Sequence, residues 1–432
     1  MISPLVAWLF EFMAMNVLLV NQCFYPDVVS SGQHLTDLAV ALTERGHTVT
    51  VVTSSRGYDN PKTRFSRHEK WRGVRIIRIL TPGFGKKSRW RRALDFGGFI
   101  ASCAVQFVLL PRFDVTVAMT SPPLISWLAA LFVQIKGGRL LFWVMDLNPD
   151  EAVAAAWLSD RSMVTKILER ALRYSLQKAR KVVVLDRFMK QRLHLKGVSE
   201  DKMMIIPPWS HDDAVHYDPV GRKDFRTVHK LSKNFVAMYS GNLSPCHPLD
   251  TLLQAALGLK DHPEIIFCFI GGGSEFDKVK AFMGDHLLAN IICLPYQPLD
   301  RLSASLSSAD MHIVVMGNPF PGIVHPCKIY NILLVGAPIL YIGPPESHVM
   351  DILTQINSRD MLRTARHGDP DTVVNHILDE AHGGVRFESR NNVQVATPFS
   401  KQVLLPRLIG CVELLCMERI PDENGGSEGQ TP

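Results

Sequence analysis

Short apolar runs alternate with amphipathic stretches along almost the whole chain. Residues 16–21 (NVLLVN) are apolar without alternation, as a strand buried on both faces should be. A loop with Pro26 and Ser30-Ser31-Gly32 follows. Helical spacing then runs from His34 to Arg45, with Leu35, Leu38, Ala39 and Leu42 on one face and Gly46 as the terminator. Residues 48–53 (TVTVVT) predict a second strand. A strand–loop–helix–strand opening of this kind starts a parallel Rossmann-like sheet. Further strands are predicted at 74–79, 115–118, 140–144 and 181–185, with an amphipathic helix over 163–177 between the last two.

Pro207-Pro208 breaks this series, and residues 212–233 are polar and aperiodic. A second series then predicts strands at 235–239, 265–270, 291–294, 312–315 and 338–342. Helices are predicted near 249–259 and 326–335. With 432 residues and about 100–200 per domain, two domains fit the length. The predicted fold class is α/β, two Rossmann-like domains facing a cleft. The boundaries are 15–208 for the first Rossmann-like domain, 209–233 for a linker and 234–385 for the second Rossmann-like domain. Residues 386–419 form a C-terminal segment packing back on the first domain. The last 13 residues, 420–432, are Gly/Ser/Glu-rich and predicted to be disordered.

Composition narrows the class. With 47% hydrophobic residues, the chain is neither disordered, collagenous nor coiled-coil. Eight cysteines stand singly with no C-x-x-C pair, which fits a reducing cytosol and neither a disulfide scaffold nor a structural zinc site. The most apolar stretch, 96–110, has 15 residues, short of the roughly 20 that a membrane span needs. The first 14 residues lack the basic n-region and cleavage site of a signal peptide. MNVLLVNQ from Met15 reads as a natural beginning, so an overcalled start codon is expected.

Charge is unevenly placed. From Lys62 to Arg92 there are 12 Lys/Arg and one acid, and from Arg161 to Lys196 there are 11 and two. These segments carry +11 and +9 in a chain of net +6, which leaves the remainder at −14. A basic face attracts polyanions: nucleic acid, anionic headgroups or diphosphates. Trp71, Phe84, Trp90, Phe96 and Phe99 among the cations point to an anionic membrane surface, although a plain solvated basic face explains the charge equally well.

Candidate chemistry sits at strand ends, where open α/β sheets bind ligands. Gly271-Gly272-Gly273-Ser274 could bring backbone amides close to a phosphate, or simply make a tight turn. It is not G-x-G-x-x-G, and no such fingerprint follows the first strand, so a nicotinamide or flavin cofactor is not expected. YSGNLSPCH (239–247) offers Gly241, Asn242 and His247, or is an ordinary capped loop. In PFPGIVHPCKIYNILLVG (319–336), Pro326 suits a first helical turn, whose amides bind anions, with His325 and Lys328 as added donors. Asp369-Pro370-Asp371 reads as a helix cap. His211-Asp212-Asp213 has no partner at metal-ligand spacing. Walker, G-x-S-x-G and H-E-x-x-H patterns are missing, so those hydrolases are not expected.

These segments resemble the GT-B-fold glycosyltransferases of family four. Residues 16–53 resemble the family's opening, and Gly241-Asn242-Leu243 stands at its GxL phosphate loop. Pro326-Cys327-Lys328-Ile329-Tyr330-Asn331 with Gly336-Ala337-Pro338 resembles the P-S-K-x-Y-E…G-x-P segment of the bacterial exopolysaccharide and O-antigen branch. Asp146-Leu147-Asn148-Pro149-Asp150 resembles that branch's D-L-W-P-E. Three positions depart from the pattern. Asn242 and His247 replace the Arg and Lys that grip the diphosphate, the E-x7-E pair falls at Ile323 and Asn331, and Cys327 replaces Ser.

The resemblance implies a retaining, metal-independent transferase with no cofactor, using a nucleotide-sugar as substrate. Its catalytic residues would be Asp146, His325 and Lys328. Donor contacts would come from Gly241, Asn242, His247, Gly272, Gly273, Tyr296, Val324 and Asn331, the last through a ribose hydroxyl. Ser31 and Gly32 would face the acceptor, a polyprenyl-diphosphate-linked lipid or a glycan. The enzyme would be cytoplasmic and peripheral on the inner face of the plasma membrane, with no nucleic-acid partner. A nucleotide-sugar epimerase and a non-catalytic scaffold of the same fold remain alternatives.

Overall fold

A computed structural model describes residues 14–27, 29–58, 60–85, 89–355, 362–383 and 396–417. Residues 1–13 and 420–432, for which a false start and a disordered tail are expected, lie outside the described residues, as do 384–395 of the C-terminal segment. The chain forms two compact units. One comprises Met1–Phe142, Tyr174–Val182 and Arg407–Pro432; the other comprises Trp143–Arg173 and Val183–Pro406.

The first series runs β1 (Asn16–Val20), α1 (Ser30–Glu44), β2 (Thr48–Ser54), β3 (His68–Trp71), β4 (Val74–Ile79), α2 (Arg89–Leu109), β5 (Val115–Ala118) and α3 (Ile125–Lys136). It continues with β6 (Arg139–Trp143), α4 (Asp150–Ala154), α5 (Met163–Lys178), β7 (Lys181–Val184), α6 (Arg187–Leu195) and β8 (Met203–Ile205). The sheet order is β3-β4-β2-β1-β5-β6-β7-β8. Pairs from β4 to β6 are parallel, and β3 is an antiparallel edge.

The second series runs α7 (Pro219–Val228), β9 (Phe235–Asn242), α8 (Asp250–Gly258), β10 (Ile265–Gly272), α9 (Ser274–Asp285), β11 (Ile291–Leu294), α10 (Leu299–Ser307) and β12 (Met311–Val315). Then come α11 (Lys328–Val335), β13 (Ile339–Ile342), α12 (His348–Gln355), β14 (Leu362–Ala365), α13 (Pro370–His382) and α14 (Lys401–Met417). Its all-parallel sheet has the order β11-β10-β9-β12-β13-β14. Ala237, Tyr239, Phe267, Phe269, Ile313 and Leu340 alternate along the strands into one core. Burying each such large side chain stabilises the fold by about 1.5–3 kcal/mol. On α14, Glu413 accepts from Arg45 Nη1 at 3.1 Å and lies 3.2 Å from His47 Nε2, so the C-terminal helix is tied to the first unit.

Three sequence expectations change. Ser31 and Gly32 belong to the first turn of α1, not to a loop, because the helix starts at Ser30. The stretch expected to be a linker carries α7. Asp218 caps that helix by accepting from Gly221 N at 2.8 Å, and its Arg222 and Arg226 converge on Asp310 at 2.5 and 3.0 Å. Its polarity reflects ion pairs within the fold and not solvation alone. The apolar stretch at 96–110 is the second half of the longer helix α2. Its 20 residues Trp90–Leu109 are long and apolar enough to cross a membrane. Arg91, Arg92 and Asp95 interrupt the hydropathy but not the helix, and Asp95 accepts from the amides of Gly83, Phe84 and Gly85 at 2.7–2.9 Å.

One stripe of α2, Phe99, Cys103 and Phe107, is buried at i, i+4, i+8 spacing. Another, Trp90, Leu94, Val105 and Val108, follows the same periodicity and is exposed, Val108 by 72%.

Candidate active site

Two glycine-ended strands lie side by side in the second unit. β9 and β10 stay in parallel register to their last residues, with Gly271 opposite Gly241 and Gly272 opposite Asn242. Gly241, Gly271 and Gly273 have φ of +131°, +143° and +124°, which L side chains rarely adopt. A Cβ on Gly271 would sit 2.0 Å from the Gly241 carbonyl oxygen, and one on Gly273 would sit 2.2 Å from that of Leu243. Leu243 N donates to Gly272 O at 2.8 Å, which locks the two turns together. Tyr296, about half exposed, covers this turn, and its hydroxyl donates to Gly272 O at 3.4 Å.

Lys328 opens α11 and reaches these turns. A Cβ on Gly241 would lie 3.3 Å from Lys328 Nζ, so the absent side chain makes room for the amine. Nζ sits 3.4 Å from the ring centroid of Tyr239, whose hydroxyl donates to Asn242 O at 2.8 Å. The amine is buried and has no hydrogen-bond partner among the described residues. Burial pushes its pKa well below the ordinary lysine range. A desolvated cation–π contact is worth about 2 kcal/mol, whereas burying an ammonium costs several. The ring alone therefore does not offset the burial; an anion would.

His247 shares this environment. Its ring is held by the Val315 carbonyl, and its Nδ1 is buried without a partner among the described residues. Burial, helped by the charge of Lys328, lowers its pKa to about 3. The adjacent Cys246 thiol donates to Glu151 Oε1 at 3.8 Å, and its pKa is raised by burial, by Glu151 and by Asp146. Asp146, half-buried, thus stands beside the 239–247 loop. Leu147 N donates to Ile323 O at 2.8 Å, which ties the DLNPD segment to the loop before α11.

Two residues predicted to touch the donor are otherwise engaged. His325 is buried; its Nδ1 donates to Asp186 Oδ2 at 2.8 Å, and its Nε2 lies 2.6 Å from the Tyr330 hydroxyl. Both ring nitrogens are occupied, so His325 offers no donor to a diphosphate in this arrangement. Burial would raise the Asp186 pKa, but the bond from His325 and the nearby His348 hold it at about 2. Asn331 is also taken: its Oδ1 accepts from His211 N at 3.0 Å and its Nδ2 faces His211 Nδ1 at 3.3 Å.

Val324 is buried, so it contributes backbone at most. Ser31 and Gly32 lie in the first unit, where Gly32 packs against Cys23 and Phe24. Asp186, His325 and His348 gather their ligand atoms within 4.8 Å. The two imidazoles stack at 3.7 Å with 17° between planes, however, so their in-plane lone pairs run alongside each other and do not converge on an ion. Asp186 and His348 are no part of the motifs read from the sequence, and Tyr239, Tyr330 and His211 occur in those motifs without a role at the site.

The described geometry has counterparts. Residues 31–209 match the family model "Glycosyl transferase 4-like domain" and residues 221–321 match "Glycosyl transferases group 1". The second match spans both glycine turns. The chain belongs to the GT-B glycosyltransferases of family four. This glycosyltransferase is 25% identical over 338 residues to the putative colanic acid biosynthesis glycosyl transferase WcaI of Escherichia coli K12, covering 74% of this chain and 82% of that protein. It is 25% identical over 245 residues to the probable glycosyltransferase WbjE of Pseudomonas aeruginosa, covering 56% and 60%.

Among solved structures, sucrose-phosphate synthase from Thermosynechococcus elongatus superposes with a TM-score of 0.70 at 13% identity, over 93% of this chain and 99% of that one. Anabaena HepE in complex with UDP and glucose superposes with a TM-score of 0.68 at 13% identity, over 93% and 100%. At that identity the glycosyltransferase shares their fold.

Proposed function

We propose that this enzyme moves a sugar, with retention and without a metal, from a nucleotide diphosphate sugar to a polyprenyl-diphosphate-linked or glycan acceptor in cell-surface polysaccharide assembly. The observation that carries this reading is the buried Lys328 amine beside Gly241 and His247, which has no hydrogen-bond partner among the described residues. Negative charge grows on the departing diphosphate, and a fixed cation lowers that barrier most where water is excluded. Exposed Tyr296 over Gly272 offers a face on which a nucleobase can stack. Asp146 would orient the acceptor hydroxyl or support the positive charge on the sugar. HepE has been solved with UDP and with UDP-glucose, and WcaI is named for colanic acid biosynthesis, both in line with this reading.

A thermal-shift panel of UDP-, GDP-, TDP- and ADP-sugars tests the donor class. One base should raise the melting temperature in proportion to the logarithm of ligand concentration above its Kd. No shift from any of the four contradicts the reading. Formation of an epimer without acceptor would assign the epimerase class instead.

The same reading places the enzyme on the cytoplasmic leaflet, with α2 lying in the interface. Arg91 and Arg92 flank its exposed apolar stripe, and only 17% of the apolar window of α2 is buried in the protein. Each basic residue near an anionic surface contributes about 1 kcal/mol. The double variant Arg91→Ala/Arg92→Ala should therefore lose about 30-fold in affinity for vesicles containing phosphatidylglycerol. Wild-type protein that stays unbound in vesicle flotation contradicts the surface assignment.

A further inference from the structure

The helix that carries Lys328 lacks a side-chain cap of its own. Cys327 stands at the N-cap of α11, makes no capping bond, and turns its thiol to His325 O at 3.2 Å. Lys328 Nζ has no acceptor to anchor it among the described residues, so its place depends on the backbone of that first turn. The turn is held from elsewhere. Asp186 caps α6 by accepting from Met189 N at 2.8 Å and with its other oxygen accepts from His325 at 2.8 Å. His325 in turn meets the hydroxyl of Tyr330, two residues beyond Lys328, at 2.6 Å.

His348 stacks on His325, and the Phe399 ring packs 5.0 Å from that of Tyr330. Arg192, also on α6, donates to the carbonyls of Pro321 and Pro319 at 2.7 and 3.3 Å, which fixes the preceding loop. Asp186, His325, Tyr330 and His348 are all buried. Of these, Asp186, His325 and Tyr330 form a hydrogen-bonded chain, and a buried chain of this kind rigidifies what it touches.

Resting on the donor-site reading above, we infer that Asp186, His325 and Tyr330 are positioning residues. They form one hydrogen-bonded chain that sets the first turn of α11, so that His325 acts on the diphosphate only through Lys328. A misplacement of about 1 Å at a reacting centre can cost 100-fold, so the chain matters to the site beyond its share in stability.

The test is a double-mutant cycle on UDP affinity, measured by titration calorimetry at one pH. Tyr330→Phe should raise the UDP Kd about tenfold in the wild-type background and less than twofold in a Lys328→Ala background. Asp186→Asn, which keeps the oxygen that caps α6, should repeat the pattern. An equal loss in both backgrounds, or wild-type affinity in both single variants, overturns the inference and leaves the donor site standing. So does the loss of a cooperative melt in both variants, which would assign the chain to folding. Wild-type protein that binds none of UDP, GDP, TDP and ADP, or Lys328→Ala protein that binds UDP as well as wild type, removes the donor-site reading and this inference with it.

Discussion

Lys328→Met protein folds, melts no lower than wild type at neutral pH, and transfers sugar 100- to 1,000-fold more slowly. Methionine keeps the unbranched stem over Tyr239 and removes a buried amine that has no hydrogen-bond partner among the described residues. The sign on stability follows from linkage. A lysine whose pKa is lowered in the folded state destabilises that state increasingly as pH falls from its ordinary value, near 10.5, to its lowered one, and by a constant amount below that. Removing it relieves the folded protein at neutral pH. The loss in rate is that of one fixed donor to a developing anion, about 2.7–4 kcal/mol. Steady-state kinetics with a scanning melt checks both halves. Turnover within threefold of wild type would take Lys328 out of the chemistry.

Nucleotide binding should take up a proton. Tyr239 and Gly241 on β9, His247 and Cys246 in the following loop, and His312 on β12 surround the amine. None of them is an anion at neutral pH: burial, then the Lys328 charge, lowers His247 to about 3, burial chiefly lowers His312 to about 4, and the Cys246 thiol is raised. Glu151 and Asp146 bear on Cys246 and Glu275 bears on Tyr239, and Glu275 is itself paired with Lys278 at 2.7 Å.

An arriving diphosphate supplies the missing negative charge and restores the ammonium. Between the lowered pKa and about 10.4, affinity should therefore fall tenfold per pH unit as pH rises, with uptake approaching about one proton. Calorimetry above pH 8 in buffers of different ionisation enthalpy measures this apart from the phosphate's own titration near pH 6. Lys328→Met should show no uptake. Zero uptake in wild type at every pH would mean that the amine is charged before the ligand arrives.

Much of this was legible in the chain because parallel strands buried on both faces announce themselves as short apolar runs. Strands β1, β2, β4 and β9 to β13 lie within a few residues of their apolar segments. The missed ones lacked that signal: β3 is HEKW on an antiparallel edge, β8 has three residues, and β14 is LRTA with one fully buried side chain. The helix α7 was hidden by charges that pair across 84 to 88 residues with Asp310.

The site divides along the same line. Gly241, Gly271, Gly273, His247 and Lys328 sit at strand ends or at a helix start, positions that sequence fixes locally. His325 and Asn331 have the right chemistry at the right place along the chain, yet their partners lie 139 and 120 residues away. Local sequence does not reveal whether a polar group is already occupied.

The most direct measurement is the position of the β-phosphate in a crystal structure of the enzyme with its nucleoside diphosphate. A phosphate oxygen should lie within about 3 Å of Lys328 Nζ, with the amine lifted from the Tyr239 ring and His325 still bonded to Asp186 and Tyr330. A phosphate seated elsewhere, with Lys328 unmoved over the ring, would contradict the donor-site reading.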